Sequence, residues 1–174
     1  MNVKVSILNK EQYKNYSKDL INIFEENFFK NGGFLYSDNF MTTSDFIAIA
    51  RMDDIIVGYM AVSTNIEEEL DKKYDTYTEE IEFNCLVIKH LVVSKKYRNM
   101  GVGTKLMDYI IRYAKYNSIK CLYLWTTPDN LVALNFYKNR GFYKIGDYRP
   151  AKYIFQGLET FHSIMMVKKL VSSE

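Results

Sequence analysis

Two glycines, Gly101 and Gly103, stand one residue apart in the stretch YRNMGVGTKLMDYIIRYAK, just before apolar residues at helical spacing. The pattern predicts a buried strand that stops at Val93, then a loop with Arg98, Gly101 and Gly103 and an immediate helix start. This arrangement leaves backbone N–H groups unpaired at the positive end of the helix dipole. A side chain at either glycine would keep a phosphate from the backbone, and Arg98 adds a bidentate donor. The stretch therefore predicts an anion site, with a plain strand-to-helix turn as the alternative.

Two common nucleotide motifs do not fit this stretch. A dinucleotide fingerprint needs a third glycine at position 106, where the chain has Leu106. A P-loop needs Gly-Lys followed by Ser or Thr, whereas the chain reads Gly103-Thr104-Lys105. The anion site is thus of another kind.

The apolar patterns around the loop predict the elements that must position it. A strand and a helix open the chain, a hairpin turns at Met52-Asp53-Asp54, and CLVIKHLVV is a strand buried on both faces. After the glycine helix come the strand IKCLYLWTT, a short helix that Asn130 can cap, and two final strands. This order predicts a single α/β (α+β) domain over residues 1–174, an open mixed sheet of about six or seven strands with helices on both faces.

Composition narrows the setting and the partners. The 174 residues are 48% apolar and carry a formal net charge of +2, which does not argue for a nucleic-acid or membrane partner. The two cysteines, Cys85 and Cys121, lie in apolar runs without metal-ligand spacing, so we expect reduced core thiols, no metal site and a cytoplasmic location. No apolar run approaches the length of a membrane span, which predicts a soluble chain.

The pattern Arg-x-x-Gly-x-Gly between a buried strand and a helix resembles the acetyl-coenzyme A signature of the GNAT superfamily of N-acetyltransferases. The likeness extends to the preceding strand, IKHLVVSKKYR, and to the later segment LYLWTTPDNLVALNFYKNRGF. It covers residues 82–147 segment by segment, and the order of elements on either side also agrees. The resemblance implies a GNAT-like fold and acetyl-coenzyme A as co-substrate.

The resemblance also implies where the coenzyme would bind. The loop backbone would hold the pyrophosphate, and the strand edge before it would pair with the pantetheine arm, in a cleft beside the strand that begins near Lys120. Asn130 would either bond the arm or only cap its helix. The coenzyme-binding residues so implied are Leu91, Val92, Val93, Arg98, Asn99, Met100, Gly101, Val102, Gly103, Thr104 and Asn130.

The resemblance places Tyr137 near the thioester sulfur as a general acid, although a core aromatic residue is the alternative. A base is also needed, because deprotonating an amine with a pKa of about 10.4 at neutral pH costs roughly 4 to 5 kcal/mol. The chain departs from the family here, since Val87, Lys89, His90 and Trp125 stand where members carry acidic residues. We expect His90 to serve as the base, directly or through water, with a buried strand histidine as the alternative. His162 is a weaker candidate, and Lys89 is expected to face solvent or an acidic acceptor.

The acceptor is predicted to be a primary amine of a small molecule or peptide. The acidic segment Glu67 to Glu82 could select a cationic acceptor or form a solvated hairpin tip, and the segments 34–40 and 148–161 are expected to frame the acceptor mouth. Oligomeric state stays open, with a homodimer as one assembly to test. The leading hypothesis is an N-acetyltransferase; a non-catalytic acyl-coenzyme A sensor of the same fold and a small partner-binding protein are the alternatives.

Overall fold

The computed structural model describes residues 2–28, 43–70, 76–148 and 163–170. The strands are β1 (Lys4–Leu8), β2 (Phe46–Met52), β3 (Ile55–Ser63), β4 (Thr76–Tyr77), β5 (Cys85–Val93), β6 (Cys121–Thr126), β7 (Tyr143–Tyr148) and β8 (Ser163–Lys169). The helices are α1 (Tyr13–Phe28), α2 (Val102–Tyr116) and α3 (Leu131–Lys138), and a 3-10 turn spans Lys95–Tyr97.

The chain divides into two compact units, and one of the points of division falls within β5, between Val87 and Ile88. The first unit comprises Met1–Ser63 and Ile88–Tyr116, and the second comprises Thr64–Val87 and Asn117–Glu174. The strand order is β1-β2-β3-β5 in the first unit and β5-β6-β8-β7-β4 in the second. The predicted open mixed sheet is confirmed, and its seven longer strands match the expected number. The eighth strand, β4, has only two residues. That both units form one domain stays a prediction.

In the first unit, helices cover both faces of the strands. Side chains alternate along a strand, so neighbours in β2 point to opposite faces. Ile47 belongs to a buried cluster with Phe24 of α1, while the ring of Phe46 lies 5.0 Å from that of Tyr113 in α2. The predicted hairpin turn is also confirmed, because Asp53 and Asp54 have φ of 47° and 66°, as a tight two-residue turn requires.

The second unit has its own core. Antiparallel pairing joins β6 to β8 and β7 to β8, with a bulge between Lys144 and Gly146. Cys85 and Cys121 are buried in this core as free cysteines. Within the described ranges, no helix combines the length and apolar character needed to cross a bilayer.

Candidate functional site

The end of β5 leads into α2 through a short, well-bonded connection. The Ser94 N–H donates to the Val57 carbonyl at 2.9 Å, which fixes the end of β5 against β3. The 3-10 turn follows, and Arg98 returns to an extended backbone with φ −66° and ψ 156°. The chain then reaches α2 after three further residues, so the strand end and the helix start are close in sequence.

Gly101 is required by its own backbone conformation. Its φ is +78°, in the left-handed region that disfavours side chains, and a Cβ added there would meet nothing within 4 Å. Glycine at 101 is therefore explained by the turn itself as well as by the expected approach of a phosphate. Gly103 differs, because it lies inside α2 and is not among the described residues with positive φ.

The start of α2 presents backbone donors. The first intrahelical bond runs from the Lys105 N–H to the Gly101 carbonyl at 3.0 Å. The N–H groups of Val102 and Gly103 precede that bond, so they have no partner within the helix. No acidic side chain lies in the first turn of α2, and lysine and arginine occur at positions 95, 96, 98 and 105. Donors, helix dipole and cations together favour an anion at this position.

Two residues in the last turn of α1 form hydrogen bonds with the segment that joins β5 to α2. The Asn27 Nδ2 donates to the Ile23 carbonyl at 2.7 Å and to the Val93 carbonyl at 3.4 Å, while its Oδ1 accepts from an Arg98 Nη. The neighbouring Glu26 carboxylate accepts the Lys95 N–H at 3.1 Å. Two adjacent residues of α1 thus fix the position of the loop and of its arginine.

Gly58 lets the strand end and helix start approach β3. A Cβ on Gly58 would lie 2.8 Å from the Val92 carbonyl oxygen and 3.2 Å from Cγ1 of Val102. No side chain fits at such a distance. Sequence analysis did not single out Gly58, Glu26 or Asn27; for Gly58 the available signal was a glycine inside the apolar strand IIVGYMAV.

His90 lies among aromatic side chains of the first unit. Its ring centroid is 5.5 Å from that of Phe24 and 6.4 Å from that of Tyr59. Burial, with a smaller contribution from the positive charge of Lys89, lowers the pKa of His90 to about 4. The imidazole is therefore neutral at physiological pH. The Lys89 Nζ donates to Oγ1 of Thr43 at 3.1 Å.

Tyr137 lies in the second unit on α3. It is buried, and its ring packs at centroid distances of 5.4 Å from Phe136 and 5.7 Å from Phe142. Burial raises the pKa of Tyr137 to about 12, which keeps the phenol protonated. Asn130 caps this helix as expected, since its Oδ1 accepts the Ala133 N–H at 3.2 Å. A contact between Asn130 and the coenzyme stays a prediction.

Some of the remaining predicted site residues lie within the described part of the chain, and others lie outside it. Leu91 and Val93 are half-buried and Val92 is buried, whereas Asn99 and Met100 are exposed. In the acidic segment, Glu79 pairs with Lys169 at 2.6 Å and Glu82 with Lys120 at 3.3 Å, so these two carboxylates already have internal partners. His162, the segments 34–40 and 149–161, and residues 71–75 lie outside the described residues.

A cavity of about 330 Å³ occurs elsewhere in the second unit. Its lining residues belong to β7 and to the segment around β4: Tyr77, Thr78, Lys144, Ile145, Gly146 and Asp147. Tyr77 and Thr78 fall within the acidic segment Glu67 to Glu82, but none of the six is a predicted catalytic or coenzyme-binding residue. The cavity therefore adds nothing to the predicted coenzyme site.

The comparison with known families identifies the class of protein. Residues 9–142 match the family described as "Acetyltransferase (GNAT) family". The chain belongs to this family. The resemblance seen in the motifs is thereby confirmed.

Two curated relatives show how far the likeness extends. An uncharacterized N-acetyltransferase of Methanocaldococcus jannaschii is 30% identical over 86 residues, which are 49% of this chain but only 34% of that protein. Streptothricin acetyltransferase A of Bacillus subtilis is 29% identical over 127 residues, 66% of this chain and 68% of that protein.

Solved structures share the fold at lower identity. The ribosomal-protein-S18-alanine N-acetyltransferase from Escherichia coli has a TM-score of 0.72 at 12% identity, covering 99% of this chain and 97% of that one. A putative streptothricin acetyltransferase from Bacillus anthracis, in complex with acetyl coenzyme A, has a TM-score of 0.55 at 24% identity, covering 72% of this chain and 62% of that one.

Proposed function

We propose that this chain is an N-acetyltransferase that moves the acetyl group of acetyl-coenzyme A to a primary amine by direct attack in a ternary complex. One observation carries the proposal: in a GNAT-family chain, β5 is followed by a 3-10 turn, by Arg98 and by the left-handed Gly101, which leads directly into the first N–H groups of α2. This arrangement suits a diphosphate, because unpaired donors, the helix dipole and a guanidinium all favour concentrated negative charge.

The coenzyme would be held by the loop and the strand before it. The pyrophosphate would lie against the backbone of residues 98–104, and the pantetheine arm would pair with main-chain groups of Leu91 to Val93. The same family fold binds acetyl coenzyme A in the relative from Bacillus anthracis. Positioning the thioester and the amine together would supply a large part of the rate enhancement.

Tyr137 would stabilise the leaving thiolate. The pKa of its phenol, about 12, lies above the thiol value of about 8.5, so complete proton transfer to a free thiolate would be unfavourable. We therefore assign Tyr137 a hydrogen bond to the sulfur that strengthens as negative charge develops there. The proton that the thiolate finally takes up comes from solvent.

His90 would take a proton released by the amine nitrogen. With a pKa of about 4 it is a weak base toward a free ammonium group. After the neutral amine attacks the carbonyl carbon, its nitrogen becomes positively charged and much more acidic, and a neutral imidazole can accept that proton directly or through water. Cleavage of the carbon–sulfur bond then releases the amide and the coenzyme thiolate.

The test is release of coenzyme thiol when the protein is incubated with acetyl-coenzyme A and a panel of primary amines. We expect release that requires both the protein and an amine. If no amine supports release while acetyl-coenzyme A still raises the melting temperature, the chain is instead a coenzyme-binding sensor of the same fold, because a ligand that binds only the folded state stabilises it.

A further inference from the structure

We infer that Asn27 is a positioning residue for coenzyme binding, which aims the Arg98 guanidinium at the diphosphate while leaving its charge uncompensated. This inference rests on the proposed function, since it concerns the same loop. It assigns a role to a residue of α1 that lies 71 positions from Arg98 in the chain.

The Asn27 side chain forms hydrogen bonds through both its nitrogen and its oxygen. Its amide nitrogen donates to Ile23 in its own helix and to Val93 at the end of β5, and its oxygen accepts from Arg98. One planar group therefore ties three elements together. Because both ends of the amide are used, its orientation is fixed, and the guanidinium is fixed with it.

The amide of Asn27 also leaves the positive charge of the Arg98 guanidinium uncompensated. Arg98 is exposed, and a free arginine side chain would sample many rotamers, so holding it in one place reduces the entropy lost when an anion binds. A carboxylate could also hold a guanidinium, but it would cancel the charge that the diphosphate needs. An amide oxygen accepts the hydrogen bond without a formal charge. Asparagine therefore orients the cation and preserves its attraction for phosphate.

The adjacent Glu26 has a carboxylate, but this carboxylate bonds the backbone of the loop. Its carboxylate accepts the backbone N–H of Lys95 and so fixes the main chain of the loop rather than the guanidinium. In the last turn of α1, Glu26 therefore fixes the backbone of the loop and Asn27 fixes the Arg98 side chain.

The experiment measures the dissociation constant of acetyl-coenzyme A for the full chain by calorimetry, at low and at moderate salt. Arg98→Gln should weaken binding about 10- to 100-fold, the range of hydrogen bonds to a charged group. Asn27→Ala should weaken it about 3- to 10-fold, the effect of freeing one long side chain. Combining the two changes should give no more than Arg98→Gln alone, because without the guanidinium there is nothing left to position.

A second variant separates charge from structure. Asn27→Asp and Asn27→Ala both lose the donors to Ile23 and Val93, and the carboxylate of Asn27→Asp also faces those two carbonyl oxygens. The free energy of unfolding is therefore measured for both variants, and only the salt-dependent part of their difference in affinity is assigned to the pairing with Arg98. Asn27→Asp should bind a further factor of about 5 more weakly at low salt, since its carboxylate pairs with Arg98, and this difference should shrink as salt is added. Asn15→Asp, an exposed change of the same charge in the same helix, is the matched control and should bind normally.

The outcomes distinguish the inference from the proposed function. If Arg98→Gln weakens binding but Asn27→Ala has no effect, or its effect simply adds to that of Arg98→Gln, the positioning role is wrong and the coenzyme site stands. Equal affinities of the Asn27→Asp and Asn27→Ala variants at low salt would overturn the charge argument. If Arg98→Gln itself binds normally, the assignment of this loop to the coenzyme fails, and the role of Asn27 fails with it.

Discussion

At the scale of single residues, burial keeps both candidate catalytic groups uncharged. The pKa of His90 is lowered to about 4 and that of Tyr137 is raised to about 12, in each case chiefly because burial disfavours the charged form. At neutral pH one group can therefore accept a proton and the other can donate a hydrogen bond. These are the states in which the two proposed roles can be performed.

Replacing Tyr137 with phenylalanine removes only the hydroxyl group. We expect Tyr137→Phe to lower kcat by about 100-fold, the effect of losing one positioned hydrogen bond to a developing negative charge, with little change in coenzyme affinity. Steady-state rates and a coenzyme titration check this, with Tyr116→Phe at a tyrosine that is 90% exposed as the control. An undiminished kcat, where chemistry limits the rate, would reduce Tyr137 to a packing residue.

The lowered pKa of His90 predicts a stability change in acid. The folded-state pKa of about 4 lies below the ordinary value of 6.5, so the unfolded chain binds more protons between these two values. The contribution of His90, at most about 3 kcal/mol, is fully present above about pH 6.5 and is lost as the pH falls toward 4. Urea unfolding measures the free energy of unfolding of the parent chain and of His90→Gln. Between pH 4 and 6.5 this free energy should depend less steeply on pH in the variant. Parallel curves would contradict the burial of the imidazole.

The same residue predicts the acidic limb of kcat/KM. Because the neutral amine attacks, kcat/KM falls with the free-base fraction of the acceptor, and protonation of His90 should add a second fall near pH 4. His90→Gln should remove that second fall along with most of the rate. Profiles with two acceptors of different basicity separate the two contributions, since only the first moves with the acceptor. A rate and a pH profile that are unchanged in His90→Gln would remove His90 from the mechanism.

At the scale of elements, the site depends on how β5 passes into α2. The left-handed Gly101 ends the connection, and Gly58 in β3 provides the space in which Val92 and Val102 lie. Both glycines act on the backbone, one through its own dihedral angle and the other through the close approach of its neighbours. Gly103 lies inside α2 without a positive φ, so the expected approach of a phosphate is the reason we propose for a glycine within the first turn of this helix.

The two loop glycines should therefore respond differently to alanine. Gly101→Ala should lower the free energy of unfolding by about 1 to 2 kcal/mol, because the left-handed conformation is unfavourable with a Cβ. Gly103→Ala should leave it unchanged or raise it by up to about 1 kcal/mol, since alanine is the better helix former. Chemical denaturation measures both. Equal destabilisation would mean that Gly103 also has a structural constraint.

At the scale of the whole molecule, features set by residues close together in the sequence could be predicted, whereas contacts between residues far apart in the sequence could not. The strand, glycine loop and helix could be predicted because apolar spacing, glycine pairs and the Asn130 cap act over a few residues. The two-residue β4 is too short to show a period. The contacts of Asn27 with Val93 and Arg98 could not be predicted, because they join positions 66 and 71 residues apart. The low pKa of His90 likewise depends on Phe24 and Tyr59, which only folding brings to it.

Two-substrate kinetics can show whether the acetyl group passes directly to the amine within a ternary complex. Initial rates of thiol release are measured while acetyl-coenzyme A and the best amine of the panel are varied independently. Direct attack predicts double-reciprocal lines that intersect, because both substrates must be bound before the acetyl group moves. Parallel lines, the pattern of a covalent acetyl-enzyme, would contradict the account.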